Sequence, residues 1–216
     1  MLSKIRRIFL ILVLLAVTFM EIKAFKLTIS SLGTGIFIYY TEISNLITLL
    51  SSIVAIVYLL ITFNKPLKFP KWLSASRFLS ATMLLMTMLI TIFVLVPHSP
   101  HLKDSLLFSG YGLYHHTLAP ILTIASYIFI EPHYNKKRVI FVPLMATFIY
   151  GFIMVFGNIF GKVSGPYFFL RVNYQPLLTS VIWCVGLLLL VSAFAGLIYV
   201  LGFVFDFLKK RLIKNY

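Results

Sequence analysis

Two apolar stretches of this chain contain polar side chains of types that bind or transform ligands. In the second stretch, Thr41, Ser44 and Asn45 recur at helical spacing and form a polar stripe beside Glu42. Such a stripe is typical either of hydrogen bonding between packed helices or of the polar wall of a cavity. Glu42 also has two possible interpretations, because an ionisable group in apolar surroundings either reaches an interface or lines a wet cavity.

The fourth apolar stretch contains the second polar group. Tyr111 lies one turn before His115 on the same helical face, whereas His116 points about 100° away around the helix. His115 falls about 13 Å below the outer end of its helix. Thr41 lies at a comparable depth, because both stretches run in the same direction. The sequence therefore allows Thr41 and His115 to meet, although a single buried histidine is often only a hydrogen-bonded core residue.

Further histidines raise the question of a metal site. His98 and His101 stand with Asp104 between the third and fourth stretches, on the same outer side as the two histidines above. Imidazole binds zinc well, but this spacing matches no established motif. We therefore predict no metal and no cofactor, and we expect His133, on the opposite side, to be solvated.

Membrane-spanning helices must position these residues. Hydrophobic residues make up 61% of the 216 residues and charged residues only 11%, whereas soluble domains carry about 25% charged residues. Six stretches reach the length of about 20 apolar residues that a span requires. They are residues 6–25, 36–63, 78–97, 106–130, 139–160 and 177–208. We expect one all-α polytopic domain, residues 1–216, with six transmembrane helices, the first of them retained rather than cleaved as a signal peptide.

Lysine and arginine residues are sorted by side of the predicted bundle. One side holds 14 of them and the other holds five. The 14 are Lys4, Arg6, Arg7, Lys65, Lys68, Lys71, Arg77, Lys136, Lys137, Arg138, Lys209, Lys210, Arg211 and Lys214. The positive-inside rule places this side, and with it both termini, in the cytoplasm.

This sorting also accounts for the net charge of +14 without nucleic acid as a partner. We expect an integral protein of the plasma membrane whose inner basic clusters contact anionic headgroups. The sequence leaves the oligomeric state open.

Three short segments occur in order along the chain, namely residues 40–46 (YTEISNL), 113–120 (LYHHTLAP) and 166–170 (PYFFL). They resemble the aromatic-x-Thr…Asn-Leu, His-before-Pro and Tyr-Pro-Phe-Leu segments of the androgen-induced membrane protein family. Its eukaryotic members hydrolyse fatty acid esters of hydroxy fatty acids, and it has looser bacterial six-helix relatives with His-His in the second segment.

The resemblance implies a hydrolase of lipid or fatty-acyl esters that acts in the outer half of the bilayer. Thr41 would be the nucleophile and His115 the base that removes its proton over about 2.6–3.2 Å. Donors to the oxyanion would come from neighbouring polar groups, and Glu42 would orient His115. The supporting or substrate-binding residues are Asn45, His116, Tyr111, Glu42, Ser44 and Arg171.

The chain departs from the eukaryotic pattern at two points. The interval from Thr41 to Asn45 is one residue longer, and Arg171 stands where the family has an acidic residue. The planar fork of Arg171 suits a phosphate headgroup or a carboxylate, and a plain surface charge is the alternative. Two other functions remain open at this point, a non-enzymatic small-solute transporter and a membrane protein that binds lipid or metal.

Overall fold

The computed structural model describes residues 2–133 and 136–214, without the side chains of residues 2, 3, 210 and 212–214. Lys210 and Lys214, two of the predicted inner basic residues, therefore lie outside the described side chains. Over the described ranges the chain is all-α and contains no strand. This agrees with the long apolar stretches, since a helix satisfies every backbone polar group within its own segment.

Six long helical runs account for most of the described residues. They are α1 (Leu2–Leu32), α2 (Tyr40–Ile61), α3 (Lys71–Ile90), α4, α5 (Phe141–Ile159) and α6 (Leu177–Lys214). The α4 run has three consecutive pieces, an α-turn Gly110–Gly112, a π-helical segment Leu113–Leu118 and an α-helix Ala119–Phe129. A second π-helical segment, Thr91–Leu95, continues α3.

Five of the helices are long and apolar enough to cross a membrane. They are Lys4–Leu32, Tyr40–Ile61, Lys71–His98, Lys137–Ile159 and Leu177–Lys209. The α4 run is not among them, because tyrosine, histidine and threonine side chains lower the hydropathy of its first half. The all-α membrane architecture is therefore confirmed, whereas six spans and the side on which the termini lie stay predictions.

The α3 helix lies at the centre and contacts α2, α4, α5 and α6. It begins at Lys71, earlier than the predicted start at residue 78. The prediction was late because charged and polar residues at 71–77 are typical of a loop, yet here they continue the helix. In contrast, α5 and α6 expose large apolar side chains such as Phe152 and Phe203, as suits contact with lipid.

Two arginines attach the start of α1 to the ends of other helices. Arg7 donates hydrogen bonds to the carbonyl oxygens of Leu59 (3.0 Å) and Lys65 (2.6 Å) at the end of α2. Arg6 donates to the carbonyl of Ile130, just after α4, over 2.6 Å. The last carbonyls of a helix lack partners within it and carry partial negative charge. The start of α1 therefore lies at the same end of the bundle as the ends of α2 and α4.

The Gly110 end of α4 is fixed by the short helix Lys103–Leu107. A Cβ atom at Gly112 would lie 2.0 Å from the carbonyl oxygen of Ser105, so only glycine fits this approach. One turn further, Nδ1 of His116 lies 2.7 Å from the Leu106 carbonyl oxygen and donates a hydrogen bond to it. The first half of α4 is therefore anchored just where its turns become π-helical.

Candidate functional site

His115 stands between two carboxylates from different helices. Its Nδ1 atom lies 3.2 Å from Oε2 and 3.3 Å from Oε1 of Glu42, on α2. Its Nε2 atom lies 3.3 Å from Oε2 of Glu21, on α1. The side chains of His115 and Glu21 are fully buried, and that of Glu42 is 6% exposed. We call these three residues the Glu21–His115–Glu42 cluster.

The two contacts of His115 differ in quality. Glu42 is placed for a hydrogen bond with Nδ1. The Glu21 contact is equally short but poorly aligned, so both Glu21 oxygens and Nε2 have no hydrogen-bond partner within the described part of the chain. The ring of Phe25 packs edge-on against His115 with centroids 4.9 Å apart, which adds an apolar side to the cluster. Two buried carboxylates thus share one imidazole in apolar surroundings.

The cluster does not have the shape of a metal centre. Nδ1 and Nε2 are on opposite edges of the ring, so Glu21 and Glu42 lie on opposite sides of His115 and do not converge with it on one point. Among the described residues no group of three His, Cys, Asp or Glu side chains is arranged to hold a metal ion. The chemistry open to this arrangement is proton transfer.

Thr41 lies at the wall of an apolar cavity of about 220 Å³. Its hydroxyl oxygen is 3.2 Å from the hydroxyl of Tyr167, and its backbone N–H donates to the same oxygen over 3.3 Å. The cavity is bounded by side chains of α2, α3, α5 and α6, for example Met86 and Leu188. Phe152, also in the wall, is 51% exposed, so the cavity reaches the lipid-facing surface.

The Tyr167 phenol is a hydrogen-bond donor at this wall. Burial raises the pKa of Tyr167 to about 12, and the nearby charge of Glu42 raises it further in the same direction. The phenol therefore keeps its proton at physiological pH. The sequence indicated this residue only as part of the third resemblance segment, without a part in the chemistry.

No hydrogen bond joins Thr41 and His115 in the described part of the chain. The Thr41 hydroxyl faces Tyr167, and both nitrogens of His115 face carboxylates. Glu42 is the residue that connects the two, because it follows Thr41 in α2 and contacts His115. The assignment of Thr41 and His115 as nucleophile and base stays a prediction.

Ser44 and Asn45 support Thr41 from the next turn of α2. Both are fully buried. The Ser44 hydroxyl donates to the Thr41 carbonyl oxygen over 2.7 Å, and Asn45 Nδ2 donates to the same oxygen over 2.9 Å. Ser44 also lies 3.1 Å from the hydroxyl of Thr87 on α3. These bonds fix the first turns of α2 against α3.

The other three predicted residues are less closely connected to Thr41. His116 is buried and engages the loop carbonyl described above, so its Nδ1 is not directed at Thr41. Tyr111 is half-buried and lies near enough to Glu42 to interact electrostatically. Arg171 is exposed, and its Nε donates to the Gly165 carbonyl of its own loop over 3.4 Å. The structure therefore gathers Thr41, Glu42 and their neighbours but leaves Arg171 at the surface.

Glu21 is the main residue that sequence reasoning missed. It lies close to the end of the first predicted span, residues 6–25, where an acidic residue is typical of an interface. The helix instead continues to Leu32, so Glu21 lies inside it and is fully buried. The signal that could have revealed it is the apolar continuation Ala24-Phe25 after the charged pair Glu21 and Lys23.

A second buried charged pair lies at the opposite end of the bundle. Arg77 and Glu131 approach to 2.8 Å, with both side chains fully buried. Arg77 also donates to the hydroxyl of Ser52 over 2.8 Å, and Ser126 donates to Glu131 over 2.9 Å. Arg77 was predicted to belong to the inner basic clusters that contact anionic headgroups, but it is part of a buried network instead.

His133 is buried rather than solvated, so that expectation was wrong. Its side chain is 3% exposed, with Nδ1 3.0 Å from Asp206 of α6 and Nε2 2.6 Å from the Tyr127 carbonyl oxygen. The reason is that α6 packs against the segment after α4, where Gly202 leaves room for the His133 ring.

No protein-family model, curated protein or solved structure matches this chain. The resemblance to the androgen-induced membrane protein family therefore depends on the three short segments alone.

Proposed function

We propose that this protein hydrolyses fatty-acyl esters inside the membrane, with Thr41 as the nucleophile. The observation that supports this best is the position of the Thr41 hydroxyl on the wall of an apolar cavity that reaches the lipid-facing surface. An acyl chain that enters sideways from the bilayer would lie along the apolar wall. Its ester group would then stand beside the polar side chains of Thr41 and Tyr167.

In the proposed reaction, the Thr41 oxygen attacks the ester carbonyl and its proton passes to the Glu42–His115 pair. A threonine hydroxyl is a weak nucleophile unless a base removes its proton during the attack. The Tyr167 hydroxyl, 3.2 Å from the Thr41 oxygen, is placed to donate to the developing oxyanion. The alcohol leaves with the proton held by the pair, and water then cleaves the acyl-threonine ester to release the fatty acid.

Hydrolysis of a fluorogenic long-chain ester by the purified protein in lipid nanodiscs tests this proposal. We expect turnover by the wild type and labelling by a fluorophosphonate probe. Thr41→Ala and His115→Ala should each reduce turnover about 100-fold or more, the usual size of a lost acid–base or nucleophilic group. Thr41→Ser should keep part of the activity, because it retains the hydroxyl.

Thr48→Ala is the matched control. Thr48 is buried on the same helix, but its hydroxyl donates to the Ser44 carbonyl over 2.9 Å and does not line the cavity. This variant should keep wild-type turnover. The proposal is wrong if folded wild-type protein neither turns over the ester nor takes the label, or if Thr41→Ala retains the wild-type rate.

A further inference from the structure

The Glu21–His115–Glu42 cluster contains more ionisable groups than the proposed hydrolysis requires. The proposed reaction uses Glu42 and His115, whereas Glu21 contacts the far edge of the ring. Two ionised carboxylates beside a neutral imidazole would leave uncompensated charge in apolar surroundings, which is strongly unfavourable. The cluster therefore holds at least one proton more than this fully ionised state. Glu21, His115 and Glu42 are the three sites that can bind it.

Most of the unpartnered atoms of the cluster lie at the Glu21 side of the ring. Both Glu21 oxygens, Nε2 of His115 and Oε2 of Glu42 are buried without a hydrogen-bond partner among the described residues. Buried polar atoms are almost always paired. If Glu21 carried this proton, its O–H group would be a hydrogen-bond donor facing Nε2 of His115 as the acceptor.

We propose that the Glu21–His115–Glu42 cluster is a buried proton-binding site in which His115 passes a proton between helix α1 and helix α2. The site binds a proton whether or not the protein hydrolyses esters. It differs from a simple ion pair because each ring nitrogen has its own carboxylate, at 3.2 and 3.3 Å.

The transfer step conserves protons and charge. It starts with Glu21 protonated, Glu42 ionised and the imidazole carrying its proton on Nδ1. The Glu21 proton moves to Nε2 while the Nδ1 proton moves to Glu42. The ring changes tautomer, Glu21 becomes ionised and Glu42 becomes the acid. One proton has then moved from α1 to α2.

Other ionisable groups surround the cluster at greater distance. Tyr111 on α4 and Tyr167 in the last outer loop interact electrostatically with Glu42, and His116 follows His115 in the chain. Lys23 of α1 lies over the ring of Tyr114, 4.9 Å from its centroid. The outer part of α3 contributes only hydroxyl, thioether and hydrocarbon side chains. Glu21 and Glu42 are therefore the carboxylates available to His115.

Infrared spectroscopy of the reconstituted protein tests the proposal, because the chain has only five acidic residues to assign. We expect the wild type to show the C=O stretch of a protonated carboxylic acid that titrates with pH and shifts in D₂O. Glu21→Gln should remove part of this band. His115→Gln should move the titration midpoint of the remaining band by about one pH unit or more, since it removes the group that shares the proton.

Asp104→Asn, an exposed acid on the short outer helix, is the control and should leave the buried band unchanged. If Glu21→Gln does not fold, Glu42→Gln provides the same test from the other side, since it should shift the midpoint of the Glu21 band. The proposal is overturned if the wild type has no protonated carboxyl band. It is also overturned if the band has the wild-type midpoint in both the His115→Gln and Glu42→Gln variants. Neither result depends on esterase turnover.

Discussion

At the scale of single residues, the Arg77–Glu131 pair and the Glu21–His115–Glu42 cluster differ in how well their buried partners match. Arg77 and Glu131 form a pair with several aligned hydrogen bonds, and Ser52 and Ser126 complete it. In the Glu21–His115–Glu42 cluster, one carboxylate is left without an aligned donor. We therefore assign a structural role to the first group and proton exchange to the second.

The stability of the Arg77–Glu131 pair can be tested with two single variants and one double variant. Arg77→Met and Glu131→Leu should each lower the free energy of unfolding by about 3–5 kcal/mol, because each leaves a buried charge unpaired. The double variant should recover most of this loss, since it leaves no charge. The measurement is reversible denaturation in detergent. Single variants with wild-type stability would show that the pair is solvated.

At the scale of elements, α4 is the helix that carries His115, and its first half departs from regular α geometry. The π-helical segment Leu113–Leu118 contains both His115 and His116. Single π turns are frequent at functional sites, because the extra residue changes the direction of nearby side chains. The short helix Lys103–Leu107 packs against this segment at Gly112 and at His116.

Gly112→Ala tests whether this packing positions the segment. A methyl group would overlap the Ser105 carbonyl oxygen at 2.0 Å, so backbone must shift. We expect a loss of stability of about 1–3 kcal/mol, measured by thermal unfolding. Gly186→Ala in α6 is the control, because its new Cβ would meet nothing within 4 Å. An unchanged Gly112→Ala melting temperature would mean that the short helix moves freely away from α4.

At the scale of the whole molecule, three sets of contacts hold the helices together at one end of the bundle. Arg7 bonds to the end of α2, Arg6 bonds to the end of α4, and His133 contacts Asp206 near the end of α6. The beginning of α1 and the last part of α6 therefore share one end of the bundle. The positive-inside rule predicts that this end faces the cytoplasm.

Labelling with a membrane-impermeant maleimide tests that orientation. In a Cys184→Ser background, Lys65→Cys marks the end of α2 and Lys162→Cys marks the opposite loop. Intact cells should label the Lys162→Cys protein, and the Lys65→Cys protein should react only after permeabilisation. The reversed pattern would place the termini outside and would remove the charge argument for topology.

From the sequence alone, the membrane class, the helical class and the approximate helix positions of this protein could be predicted. The physical reason is that apolar length and sorted charge act locally, so they can be counted along the chain. The polar stripe of Thr41, Ser44 and Asn45 on one face of α2 was predicted from helical spacing, and in the structure all three are buried. The depth of His115 in the bilayer stays a prediction, because rise per residue gives a position along the helix and not a position in the membrane.

Only the tertiary structure decided which of these residues touch. Glu21, Arg77 and Glu131 stand close to the ends of apolar runs, where sequence favours an interface, yet packing of other helices around them buries all three. Likewise, comparable depth allowed Thr41 and His115 to meet, but rotation of α2 directs Glu42 to the histidine and Thr41 to Tyr167. The position of a residue along its helix is a property of that helix alone. The direction in which its side chain points and its burial depend on how several helices pack together, which no local pattern specifies.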